Sequence, residues 1–300
     1  MATLKHYIQA ARLRTLPLSV SGIIVGSALA SPIFYKSSIF WLAILTTIGF
    51  QVLSNFANDY GDGIKGTDTN RVGEKRLVAS GTITPKQMKT AMIVTAIVTF
   101  LIALTLIYTA FGSENFIKSI TFLVLGIASI VAAIKYTVGN NAYGYSGLGD
   151  VFVFLFFGLL STLGSYYLFT HHLSNWHILL PAAAIGLLST AVLNLNNMRD
   201  QIQDKKANKV TLVVKMGSQL AKLYHFILIN GALILLIWFT NISGNTSPFK
   251  WLFVIAFFPL LHNLKVVAEN ILFRELDGEL KKVALATFMC AVLLAITTLV

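Results

Sequence analysis

Residues 38–68 read SIFWLAILTTIGFQVLSNFANDYGDGIKGTD, an apolar run that passes without a break into amides and carboxylates. The part from 38 to 57 is long enough to cross a hydrocarbon core of ~30 Å as a helix. Its end carries Asp59 and Asp62, with Asp68 just beyond. A second apolar run, 177–198, stops in the same way at Asp200 and Asp204. Five of the chain's 12 acidic residues therefore gather where two apolar runs end. A carboxylate beside a bilayer is costly enough to imply a function.

The rest of the chain has the same character. It is 56% hydrophobic, only 12% charged, and has a mean hydropathy of +0.74. Candidate spans at 16–34, 38–57, 88–109, 116–135, 149–170, 177–198, 221–240, 248–267 and 282–300 give about nine crossings. A backbone in lipid must satisfy its own hydrogen bonds, so the expected fold is all-α: a polytopic integral membrane protein forming one bundle. No linker or low-complexity tract divides it, and residues 1–300 are expected to form a single membrane-embedded domain. Lys5, Arg12 and Arg14 ahead of the first apolar run mimic a secretory signal, but the run is read as an uncleaved first span.

A net charge of +11 invites a nucleic-acid reading, which its distribution excludes. Of the 23 Lys and Arg residues, 20 fall in the loops of one side, and only Lys36, Lys118 and Lys250 in those of the other. That asymmetry sets orientation: the N-terminus and both acidic clusters are expected in the cytoplasm and the C-terminus outside, in the cytoplasmic (inner) membrane. The single Cys290 can form no intrachain disulfide. The six histidines show no metal-ligand spacing.

Gln51, Asn55, Asn58 or Asp59, and Asp62 recur every three to four residues and share one helical face; Thr190, Asn194, Asn197, Asp200 and Asp204 repeat the arrangement. Lipid does not tolerate such a density of polar groups, so both stripes are expected to face a central cavity open to the cytoplasmic side. The acids stand at helix C-termini, where the dipole already presents negative charge, so a cation must balance them. Mg2+ suits carboxylate oxygens and commonly bridges them to phosphates. Lys65, Lys75, Arg76, Arg199, Lys205 and Lys209 stand nearby to bind further phosphate oxygens. The competing reading from another class is a cation-coupled membrane transporter, whose sites usually lie nearer the midplane.

The stretch from Asn58 to Asp68, Arg76-Leu77-Val78-Ala79-Ser80-Gly81 and the second Asp200-x-x-x-Asp204 resemble the UbiA superfamily of intramembrane prenyltransferases. Ala11-Arg12-Leu13-Arg14-Thr15-Leu16-Pro17, the Tyr143-Gly144-Tyr145-Ser146-Gly147-Leu148-Gly149-Asp150 motif and Asn196-Asn197-Met198-Arg199-Asp200 are similar to the subgroup acting on 1,4-dihydroxy-2-naphthoate. The resemblance implies Mg2+, a polyprenyl diphosphate and an aromatic acceptor, with transfer of the prenyl chain, loss of CO2 and formation of demethylmenaquinone. Other aromatic acceptors such as 4-hydroxybenzoate remain open. On this reading Asn58, Asp62 and Asp68 hold one metal ion, and Asp200 with Asp204 another, Asp62, Asp200 and Asp204 being catalytic. Lys65, Arg76, Arg199 and Lys209 are the expected diphosphate contacts, Asn55 and Asn197 further substrate-binding residues, and Asp59 a substrate contact, a metal ligand or a partner of one. Tyr136, Tyr143 and Tyr145 are expected to shield the carbocation. Asp150 serves as acceptor contact or helix cap, and Arg14 as acceptor contact or topology signal. Prenyl length and oligomeric state are not set by the sequence.

Overall fold

The computed structural model describes residues 2–66, 76–140, 142–244 and 246–299, and among these it contains helices, turns and no strand. In chain order the helices are α1 (Leu4–Ala11), α2 (Leu16–Ala30), α3 (Ser38–Lys65), α4 (Pro85–Phe111), α5 (Phe116–Lys135), α6 (Gly149–Val153), α7 (Ser161–Thr170), α8 (Leu179–Lys206), α9 (Leu212–Ile242), α10 (Phe257–Glu269) and α11 (Asp277–Ile296). A π-helical segment, Phe154–Leu160, joins α6 to α7. Eight described segments are long and apolar enough to span a bilayer; each corresponds to one of the first eight expected crossings. The ninth, α11, is 20 residues long and opens with Asp277, Glu279, Lys281 and Lys282, so its apolar part begins later than its helix.

Helix ends differ from the hydropathy boundaries, for local reasons. The first crossing is preceded by the separate α1, which stops where Arg12 takes a left-handed conformation (φ 50°). α1 is amphipathic, with Leu4 and Ile8 exposed and Ala10 and Ala11 buried, as suits a helix lying along an interface. α3 and α8 continue about two turns beyond the apolar runs expected at 57 and 198, so Asp59, Asp62, Asp200 and Asp204 stand on helix. α4 starts cleanly: the Thr84 hydroxyl accepts from the Gln87 N–H, Gln87 accepts from the Thr84 N–H, and Pro85 fills the first helical position.

The chain packs as two compact units. The first comprises residues 1–16, 42–149 and 200–215. Its core gathers Leu53, Phe56 and Ala57 of α3, Met88 and Met92 of α4, and Leu77 and Ile83 of the intervening turn. The other side of α4 exposes Ile93, Val94, Ile97, Val98 and Leu101, a continuous apolar face suited to lipid.

The second unit comprises residues 17–41, 150–199 and 216–300. Here α2 lies so close to the helix containing the π segment that glycine is required. A Cβ on Gly22 would stand 1.9 Å from Ser161 Oγ, and one on Gly26 only 2.1 Å from the Thr162 carbonyl oxygen. A buried polar chain ties α9, α10 and α11: His225 Nε2 to Asn263 Oδ1 (2.8 Å), Asn263 Nδ2 to Glu279 Oε2 (2.7 Å), and Lys282 to Glu279. His225 is thus both fully buried and hydrogen-bonded.

Gly26→Val should cost about 3 kcal/mol through overpacking against backbone, which cannot yield. Gly126→Ala, where nothing lies within 4 Å of the new Cβ, should be neutral or stabilising. Thermal unfolding of the detergent-solubilised variants measures both.

Candidate active site

Roughly the last four turns of α3 carry the polar stripe. Asn55 Nδ2 donates to the Ala11 carbonyl (2.8 Å) and to Thr15 Oγ1 (3.1 Å), while Gln51 Nε2 reaches Asn55 Oδ1 and Thr15 Oγ1. This knot fixes α3 against the turn after α1, on which Arg14 stands half-buried. Asn58 Oδ1 accepts from Thr137 Oγ1 at 3.2 Å. Asp59, 1% exposed, accepts the Leu77 N–H on Oδ2 (3.1 Å) and the Val78 N–H on Oδ1 (2.9 Å). With both oxygens on backbone donors, Asp59 anchors the turn that presents Arg76.

Asp62 lies one turn further on and is 2% exposed. Tyr145 donates its hydroxyl to Asp62 Oδ1 at 2.7 Å, and Arg76 Nη2 stands 3.8 Å from Oδ2. Lys65 Nζ donates to the Thr137 carbonyl (2.9 Å) and lies 4.0 Å from the centre of the Tyr145 ring. From the end of α8, Asp200 and Asp204 are 4% and 7% exposed. Lys209 Nζ stands 3.6 Å from Asp204 Oδ1 and 5.5 Å from the Tyr145 ring, and the Val210 N–H donates to the Tyr145 carbonyl at 3.1 Å. Asp62 and Asp204, far apart in sequence, are thereby linked within the first unit through Tyr145 and Lys209.

Among the described residues, the buried carboxylates Asp62, Asp200 and Asp204 belong to the first unit together with Lys65, Arg76 and Lys209, and the C-terminal dipoles of α3 and α8 add negative potential. Among the described residues no three carboxylates, histidines or cysteines form a ready-made metal cage. The donors present, carboxylate oxygens on Asp62, Asp200 and Asp204, are of the kind that Mg2+ takes, with water and phosphate oxygens completing its octahedron. Asp68 lies outside the described residues.

The remaining expected contacts divide. Tyr136 and Tyr143 meet edge to face at 5.3 Å; the Tyr143 hydroxyl donates to the Ala132 carbonyl (2.8 Å), and burial raises its pKa, keeping the phenol protonated. Asn197, Arg199 and Asp150 belong to the second unit. Arg199 donates to Asp277 and, at 2.8 Å, to Asn196 Oδ1, which ties α8 to the start of α11. Asp150 is 5% exposed in the first turn of α6. Thr137 had no signal in sequence, and Thr15 only its place in the Ala11–Pro17 stretch. Tyr145 was marked by its motif and as a carbocation shield, whereas its hydrogen bond to Asp62 had no signal.

The sequence model of the UbiA prenyltransferase family matches residues 19–271, which include both acidic clusters and most of both units. The chain belongs to the UbiA prenyltransferase family. It is 47% identical over 262 residues to 1,4-dihydroxy-2-naphthoate octaprenyltransferase of Haemophilus influenzae, covering 86% of this chain and 83% of that one. It is 44% identical over 273 residues to the protein of the same name from Escherichia coli K12, covering 90% and 86%. A solved UbiA homolog from Archaeoglobus fulgidus, bound to GPP and Mg2+, shares the UbiA fold with a TM-score of 0.66 at 14% identity, over 96% of this chain and 99% of that one.

Asp59→Ala should release the turn at Arg76. Hydrogen exchange at the Leu77 and Val78 amides should speed up by about 10- to 100-fold, as expected when a charged acceptor is lost, with the amides of α4 unchanged.

Proposed function

We propose that the chain transfers a polyprenyl group from polyprenyl diphosphate to 1,4-dihydroxy-2-naphthoate, releasing pyrophosphate and CO2 and giving demethylmenaquinone at the quinol level. The observation that carries this reading is the convergence of both acidic helix ends, with Lys65, Arg76 and Lys209, in a UbiA-family chain that is 44–47% identical to two proteins named for that acceptor. The whole chain acts as one domain in the cytoplasmic membrane. The positive charge on one set of loops supports a cytoplasmic N-terminus and active site, an outward C-terminus and a cavity opening to the cytoplasm.

The difficult event is heterolysis of the allylic C–O bond, which leaves a delocalised carbocation and a highly charged pyrophosphate. Mg2+, when bound, supplies Lewis-acid neutralisation of the departing oxygens. Asn58, Asp62 and Asp68 would hold one such ion, and Asp200 with Asp204 another. Arg76, already close to Asp62, offers planar paired donors to phosphate, and Lys65 and Lys209 add point charges. Because these donors are in place before the bond breaks, little reorganisation accompanies the charge that develops. Tyr136 and Tyr143 present π faces suited to a passing carbocation. The acceptor ring attacks C1 of the prenyl group, and its carboxyl leaves as CO2, so no oxidant or reductant is required. Arg14, Asn197, Arg199 and Asp150 are assigned to acceptor and diphosphate positioning.

Membranes containing the protein, supplied with labelled polyprenyl diphosphate and 1,4-dihydroxy-2-naphthoate, should form prenylated product, lose it with EDTA and regain it with Mg2+. Asp62→Ala and Asp200→Ala should each lower turnover by at least about 100-fold. Product from 4-hydroxybenzoate alone would move the acceptor assignment, and cation flux without any product would replace the enzyme reading with a transporter.

A further inference from the structure

One side chain in the first unit touches charge of both signs. Tyr145 gives its hydroxyl to Asp62 and its ring face to Lys65 and Lys209, and its carbonyl accepts from Val210, in the segment that follows α8. Its own backbone is firmly set. The Tyr145 N–H donates to the Ala142 carbonyl and the Gly144 N–H to the Tyr136 carbonyl, each at 3.0 Å. A Cβ at Gly144 would lie 2.6 Å from that Tyr136 oxygen, and Gly147 on the other side has φ +82°. The ring is thus held by a short turn whose conformation two glycines permit.

We propose that Tyr145 is the positioning residue of the diphosphate site, its hydroxyl orienting Asp62 for the metal and its ring holding Lys65 and Lys209 as a pair for the phosphate oxygens. This rests on the diphosphate reading above. A carboxylate oxygen has two lone pairs, so Asp62 can keep the Tyr145 hydrogen bond while it meets a metal ion. The lysines need such a device for a different reason. They repel each other, and their long stems would otherwise carry the ammonium groups apart into water. The negative π face of one ring attracts both and keeps both within reach. When a diphosphate arrives, its full charges outcompete the ring, and the ammonium groups transfer to phosphate oxygens over a short path.

This role differs from that of an aromatic shield for the carbocation, which needs the ring and not the hydroxyl. Tyr145→Phe and Tyr145→Leu separate the two contributions, with Mn2+ as metal probe by electron paramagnetic resonance and inorganic pyrophosphate as anion. Tyr145→Phe should weaken Mn2+ binding in the presence of pyrophosphate about tenfold, the scale of a lost hydrogen bond to a charged group, while pyrophosphate affinity at saturating metal stays within about twofold. Tyr145→Leu should show the same metal loss and bind pyrophosphate at least about fivefold more weakly. Lys209→Met should weaken pyrophosphate binding in the wild type but add little in the Tyr145→Leu background, a coupling that general loss of folding does not produce. Wild-type metal affinity in Tyr145→Phe, or equal pyrophosphate affinity in the Phe and Leu variants, overturns the proposal. Failure of the unsubstituted protein to bind Mn2+ with pyrophosphate at all would instead remove the diphosphate reading beneath it.

Discussion

A carboxylate can be kept at the end of a membrane-spanning helix only if something holds its charge, and in this chain that requirement organises the site. Asp62 has 2% of its surface exposed and stands at the negative end of α3. Arg76 and the Tyr145 hydroxyl meet its two oxygens. Those two partners come from different parts of the sequence, so satisfying one buried charge brings together the end of α3, the turn before α4 and the turn before α6. Lys209 extends the assembly to Asp204 and the end of α8. An anion-rich site with cations at its edge follows from the cost of leaving any of these groups unpaired.

The supporting structure serves the same end. Asp59 uses backbone donors to fix the turn behind Arg76, and Asn55 with Gln51 and Thr15 fixes the start of the chain against α3. Both are polar residues of the intramembrane stripe, yet their hydrogen bonds run to protein backbone and side chains. The stripe thus contains residues that support the site as well as residues that face it. Within the second unit, the closely packed glycines of α2 and the His225–Asn263–Glu279 chain supply rigidity where lipid gives no hydrophobic drive for helices to associate.

The crossings were legible because bilayer thickness sets a length that an apolar run either meets or does not. Their ends were less so. α3 and α8 extend past their apolar runs because helix continues wherever backbone bonds and side-chain partners permit, and hydropathy records neither. α11 begins with charges that a hydropathy window excludes. In the site, the acids and the basic residues near them could be read from residue type and spacing. Their pairings could not, since Asp62 with Tyr145 and Arg199 with Asp277 are separated by 83 and 78 residues. Tyr145 could be named from its motif as one of three candidate shields, but among 10 tyrosines and 21 phenylalanines nothing in the sequence set its hydroxyl against Asp62.

That the two acidic helix ends act together on one metal-bound diphosphate is a claim about coupling, and a thermodynamic cycle measures coupling directly. Calorimetric titration of Mg2+ with pyrophosphate into the wild type, Asp62→Asn, Asp204→Asn and the double variant gives the interaction term. A shared site predicts that the second substitution costs little once the first is made, so the double variant binds nearly as well as the weaker single variant. Losses that simply add would show two independent groups and contradict the account.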